Sequence, residues 1–139
     1  MMKLDHVGIA VPDTKSAKNN FCNIFGVDPE SESIGEWEAN GNKTVLLPIG
    51  DESLEIMAPL TKGVGDISKF LEEKGEGLFH LAFLVENFDK TMAELEKKGV
   101  PVDILDPLEG DKEYKHAMIK AGEYTNQVMI YFFNQEYQP

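Results

Sequence analysis

Cysteine is almost absent from this chain: Cys22 stands alone among 139 residues. No internal disulfide can form, so packing has to hold the fold, and a reducing cytoplasm is the expected compartment. Cys22 lies in a helical pattern beside Phe21 and reads as a packing residue rather than a nucleophile. Long apolar runs are missing as well. Nothing approaches the roughly 20 consecutive apolar residues of a membrane span, and the opening MMKLDHVGIAV lacks the apolar segment and small-residue end of a signal peptide. Positive charge is scarce: Lys+Arg total 13 against 25 Asp+Glu, a net charge of −12. Nucleic acid and anionic membranes both demand basic patches, so neither is an expected partner. A small acidic ligand stays open, because Lys43, Lys112 and Lys115 could meet it locally, although lysines near strand ends are also commonly just solvated.

What is present is enough apolar residue, 42%, to build one core over 1–139. Its arrangement repeats. LDHVGIAVPD (4–13) and LFHLAFLVEN (78–87) align without gaps and set His6 upon His80. Both alternate with period two, as strands do. Each leads into a helix. Asp13 caps one with Ala17, Phe21, Ile24 and Phe25 on its apolar face, stopped by Gly26; Asn87 caps one with Phe88, Met92 and Leu95, stopped by Gly99. Polar connections follow, the first of them GEWEANGN, in which Trp37 is either a lid over a pocket or a loop anchor. Two strands close each copy: KTVLLPIG (43–50) and ESLEIM (52–57), then KHAMIKAG (115–122) and NQVMIYFF (126–133).

The expected class is therefore α+β, with two βαβββ modules (1–60 and 77–134) joined by a linker helix within 61–76, centred on DISKFLEEK. The modules should share one curved mixed sheet, with helices on the convex face and a cup on the other. The polar tail after Phe133 is expected to fray. By parity the cup face carries His6, Thr44, Glu55, His80, His116, Met129 and Tyr131. Two imidazoles and a carboxylate in otherwise apolar strands suit a divalent metal, with positions left for water or substrate. Each histidine could instead be a buried polar residue satisfied by a hydrogen bond. An unpartnered carboxylate facing a pocket, however, is costly.

LDHVGIAVPD, LEIMAPL and ISKFLEEKGEGLFHLAFLVENFD, with the following helix ending KKGV, together resemble the vicinal oxygen chelate (glyoxalase/bleomycin resistance/dioxygenase) superfamily, closest to methylmalonyl-CoA epimerases. The resemblance covers nearly the whole chain. It implies a divalent ion (cobalt, nickel, zinc or manganese), with His6, Glu55 and His80 as ligands, and a homodimer acting on acyl-CoA or a similar carbonyl compound. It also implies a glutamate as fourth ligand and a second glutamate as base. The matching positions hold Tyr131 and Thr44. A phenol is a poor base at its ordinary pKa near ~10, and a hydroxyl a worse one. His116, on the strand matching that of Thr44, is a candidate substitute or a surface histidine at a strand edge. Tyr131 could ligate the ion, donate a hydrogen bond to its water, or simply wall the pocket.

Three functions compete. The first is a metal-dependent isomerase or lyase moving a proton beside a polarised carbonyl, with Thr44, His116 and Tyr131 as its altered acid–base set. The alternative is a non-catalytic module that binds a metal or small ligand, as the loss of both glutamates suggests. The third, an iron oxygenase, is disfavoured because its relatives take their carboxylate from the position of Tyr131.

Overall fold

A computed structural model describes residues 2–107 and 110–135. The elements follow in the order β1 (Met2–Ala10), α1 (Thr14–Phe25), β2 (Gly35–Ala39), β3 (Asn42–Ile49), β4 (Glu52–Pro59), α2 (Gly65–Lys74), β5 (Gly77–Val85), α3 (Phe88–Lys97), β6 (Asp103–Ile104), β7 (His116–Ile119) and β8 (Met129–Phe133). Strand–helix–three strands thus occurs twice around α2. The fold is α+β with mixed strand pairing, since β5 and β8 run parallel while β7 and β8 run antiparallel.

The chain divides into two compact units that do not begin where the sequence repeats begin. Val7–Phe79 forms one, with strands in the order β2-β3-β4-β1. Its core follows from strand parity. Val45, Leu47, Leu54, Ile56 and Ala58 are buried with Ala17 and Cys22 of α1, and Val7 and Ile9 pack against them. Asp13 caps α1 by accepting from the backbone N–H groups of Lys15 and Ser16. Gly26 ends it at φ 70, returning its N–H to the Cys22 carbonyl.

The expected apolar face of α1 is rotated. Cys22 is buried, whereas Ile24 is 69% and Phe25 46% exposed. Positions 14, 17, 21 and 22 share the stripe that meets the strands, and 24 falls outside it. A second difference is β2: GEWEA is a strand, paired with β3 so that Trp37 lies opposite Thr44. Short turn signals around it hide a polar edge strand, since its outward residues are two glutamates.

Residues 1–6 and 80–139 form the other unit, in which β1, β5, β8, β7 and β6 follow in order. Val85, Phe88, Met92, Ala117, Ile119 and Phe132 make its core against α3. Asn87 caps α3 through its side-chain oxygen, 3.1 Å from the Lys90 amide. The last strand is shorter than NQVMIYFF suggests. Asn126 and Gln127 take φ of 52° and 72° after a short 3-10 turn, Glu123–Thr125, so pairing begins at Met129. The expected fraying does not begin at once. Asn134 accepts from the Lys115 amide at 2.8 Å and Gln135 donates to Asp111 at 2.8 Å; the remainder of the tail lies outside the described residues.

Leu47 is wholly buried and Ile24 is not. Leu47→Ala should therefore lower stability by about 2–5 kcal/mol, read from urea denaturation. Ile24→Ala should stay within about 0.5 kcal/mol of the parent.

Candidate functional site

Strand register assembles a polar and aromatic face in the unit formed by 1–6 and 80–139. On β5 and β8 the pairs His80↔Met129, Ala82↔Tyr131 and Leu84↔Phe133 stand side by side; on β7 and β8 so do His116↔Phe133 and Met118↔Tyr131. Because alternate residues share a face, His80, His116 and Tyr131 come to the same side. Ala82, fully buried, contributes only a methyl opposite Tyr131 and leaves room for its ring. The Tyr131 ring centre stands 6.3 Å from that of His80 and 5.7 Å from that of His116. Phe133 stacks on Tyr131 at 5.9 Å and lies 6.0 Å from His6.

His6 and His80 meet edge to face, ring centres 5.3 Å apart, with a ligand nitrogen of each within 4.8 Å of the other. Burial pushes His80 down from 6.5 to about 3, and the neighbouring His6 adds to the effect. His80 is therefore a neutral imidazole at neutral pH and keeps a nitrogen lone pair. His6 places Nδ1 2.8 Å from the Asp5 carboxylate. The carboxylate can only accept, so Nδ1 carries the proton, and in the neutral ring Nε2 carries the lone pair. Two imidazoles set this way fit a divalent cation as donors.

His116 is no surface residue. It is buried, and both ring nitrogens are engaged: Nε2 lies 2.6 Å from the Asp106 carbonyl oxygen and Nδ1 lies 2.5 Å from the Tyr131 hydroxyl. A carbonyl cannot donate, which makes Nε2 the N–H. In the neutral ring Nδ1 is then the acceptor, and the Tyr131 hydroxyl donates to it. Tyr114 Oη, buried, stands 3.4 Å from Tyr131 Oη. Tyr114 and Asp106 were not legible as members of this group. Asp106 follows the two-residue strand β6 and Tyr114 precedes β7, so neither stands in a strand long enough for periodicity to mark it.

In the Val7–Phe79 unit, Glu55 lies half-buried on β4 opposite Leu46, and Thr44 lies buried on β3 between Trp37 and Met57. Both share the face turned away from α1, as parity requires. Trp37 is a strand residue rather than part of a loose connection. Its ring lies over Gly35, where a Cβ would come within 3.1 Å of it. Of the three lysines, Lys43 and Lys112 are exposed, and Lys115 pairs with Asp89 at 2.7 Å.

This fold and this set of residues define a class. The Glyoxalase/Bleomycin resistance protein/Dioxygenase superfamily model matches residues 5–117, and the chain belongs to that superfamily. The match stops short of β8 and Tyr131. Among curated relatives, the uncharacterized protein YqjC of Bacillus subtilis (strain 168) is 33% identical over 131 residues, covering 94% of this chain and 90% of its own. The mitochondrial methylmalonyl-CoA epimerase of Homo sapiens is 32% identical over 99 residues, or 70% of this chain. The chain spans about half of that epimerase, 54% of its length. The methylmalonyl-CoA epimerase of Mycobacterium tuberculosis has a similar fold at TM-score 0.76, covering 96% of this chain and 88% of its own, at 24% identity. No helix among the described residues is long and apolar enough to cross a membrane.

The state of His80 gives a stability signature. Between about pH 6.5 and about pH 3 the unfolded chain carries a proton on this histidine that the folded chain refuses. The unfolded state binds more protons there, so stability falls as pH drops through that window, with a limiting slope of about 1.4 kcal/mol per pH unit. Urea midpoints of metal-free protein, measured from pH 7 down to 4, should decline. His80→Gln should decline less steeply over the same range.

Proposed function

We propose that this protein is a metal-dependent isomerase or lyase that moves a proton on a carbon next to a carbonyl group, on a thioester such as an acyl-CoA. The pair of imidazoles on the neighbouring strands β1 and β5, one of them held neutral by burial, carries this reading. His6 and His80 would hold the ion, with Glu55 as the carboxylate ligand that the family resemblance assigns. What such an ion supplies when bound is polarisation of a carbonyl oxygen and stabilisation of the enolate that follows proton loss. The substrate class comes from the epimerases the chain is similar to, and the metal's identity is left among cobalt, nickel, zinc and manganese.

The chain's own residues have separate tasks. Asp5 orients His6 by accepting from Nδ1, which turns the opposite nitrogen toward the ion. The rings of Phe133 and Tyr131 restrict water around His80. Thr44 offers a hydroxyl that can hold the substrate by a hydrogen bond, though it is too weak a base to take the proton. A homodimer, which the resemblance implies, is part of the same proposal.

A second reading has a specific observation behind it: Tyr131 and Thr44 stand where the family's two glutamates are expected. On that reading the protein binds a metal or a small ligand and turns nothing over. The two separate on one experiment. Protein loaded with cobalt or zinc should exchange the α-proton of methylmalonyl-CoA for solvent deuterium, followed by proton NMR. His80→Ala should lose both the bound ion and the exchange, while Asp5→Ala should weaken metal affinity about 10–100-fold. Tight metal binding with no exchange across a panel of acyl-CoA thioesters would establish the binding module instead.

A further inference from the structure

The hydroxyl of Tyr131 has one proton, and its direction is fixed from behind. Asp106 presents a carbonyl oxygen 2.6 Å from His116 Nε2, which forces the proton of the neutral ring onto Nε2. Nδ1 is left as an acceptor 2.5 Å from Tyr131 Oη. The phenol therefore donates inward, away from any ligand, and offers a lone pair outward. This excludes the neutral Tyr131 as a simple hydrogen-bond donor to a bound water in the resting arrangement.

We propose that Tyr131 and His116 form a proton relay, anchored on the Asp106 carbonyl, that replaces the carboxylate base. The proposal rests on the proton-transfer reading above and names the group that performs it. In the forward step the substrate C–H bond breaks and its electron pair stays on the substrate as the enolate. The proton goes to Tyr131 Oη while the proton already on Oη passes to His116 Nδ1. His116 becomes an imidazolium whose Nε2–H remains on the Asp106 carbonyl, an acceptor that suits the cation better than the neutral ring. The same path run backward returns a proton to carbon. No oxidant, reductant or leaving group is needed. Tyr131 is the residue that touches substrate, and His116 acts through it.

Three features on the page favour a relay over a structural hydrogen bond. His116 is buried with both nitrogens engaged, so its ring has one orientation. Ala82 and Met118, the residues flanking Tyr131 on the neighbouring strands, carry no competing polar group. Tyr114 Oη, 3.4 Å from Tyr131 Oη, can donate to the oxygen as negative charge develops on it.

The test uses full-length protein loaded with cobalt. Tyr131→Phe and His116→Gln should each slow α-proton exchange of methylmalonyl-CoA by about 10²–10⁴-fold. The double variant should be no slower than the worse single one, because the two residues act as a unit. Metal content should stay at the parent level in all three, which separates this defect from the loss of the ion in His80→Ala. Nitrogen-15 NMR of the metal-free protein should show His116 protonated on Nε2 and bare on Nδ1. That signature is expected to persist in Tyr131→Phe, because Asp106 sets it. Variants that exchange at the parent rate, losses that multiply in the double variant, or an Nδ1–H tautomer would each overturn the relay. If the parent itself exchanges no proton, the proton-transfer reading fails and the relay fails with it. Exchange in the parent that survives both substitutions sinks the relay alone.

Discussion

Alternation along the strands is the constraint on which everything else depends. On β8, Ile130 and Phe132 go to the α3 core, so Met129, Tyr131 and Phe133 have to face the other way. On β7, Ala117 and Ile119 make the same choice, and His116 and Met118 follow. Because the period is two, a slip of one residue in both strands would turn a phenol and an imidazole into the apolar core and turn Phe132, Ile130, Ala117 and Ile119 out of it. The hydrophobic gain from Phe132, Ile119 and Ala117 thus fixes the position of Tyr131 against His116 without any polar bond having to select it. The polar bonds then fix something finer: the tautomer of His116 and the direction of one proton.

Burial on the polar face has a cost that the arrangement distributes unevenly. His80 gives up its charge altogether. His6, beside Asp5, is placed to keep a proton near a carboxylate. Two rings 5.3 Å apart therefore occupy different environments, one desolvated and one hydrogen-bonded to a carboxylate. A divalent cation would find a lone pair on each, kept on His80 by burial and turned to Nε2 of His6 by the Asp5 carboxylate. The difference between the two histidines comes from their neighbours, although the repeat makes them equivalent in sequence.

Much of this was legible before any coordinates. Parity alone put His6, Thr44, Glu55, His80, His116 and Tyr131 on faces turned away from the helices, and the caps Asp13 and Asn87 behave as their residue types require. Three things were not legible, each for a physical reason. The β2 strand is short and half acidic, and so resembles a loop. The face of α1 is set by how the helix meets β3 and β4, and Cys22 displaces Ile24 because a small residue allows closer approach. The partnership of Asp106 with His116 joins residues ten apart, the first of them outside any strand, where periodicity carries no information. The sequence consequently left His116 open between a cup residue and a surface one at a strand edge, and it is buried.

The chain enters β8 through Asn126 and Gln127, both left-handed and neither a glycine. For ordinary L-residues that conformation costs roughly 1–2 kcal/mol each, less for asparagine. Glycine there would relax the turn, yet it would also let the chain choose among several approaches to the sheet. Asymmetric side chains in an unfavourable twist permit few. The turn behaves like a stop on a sliding bolt: the chain gives up some stability at residues 126 and 127, and in return Tyr131 arrives four residues later at a single depth along β5. A phenol in place of a flexible glutamate has no spare methylene with which to correct an error in that depth.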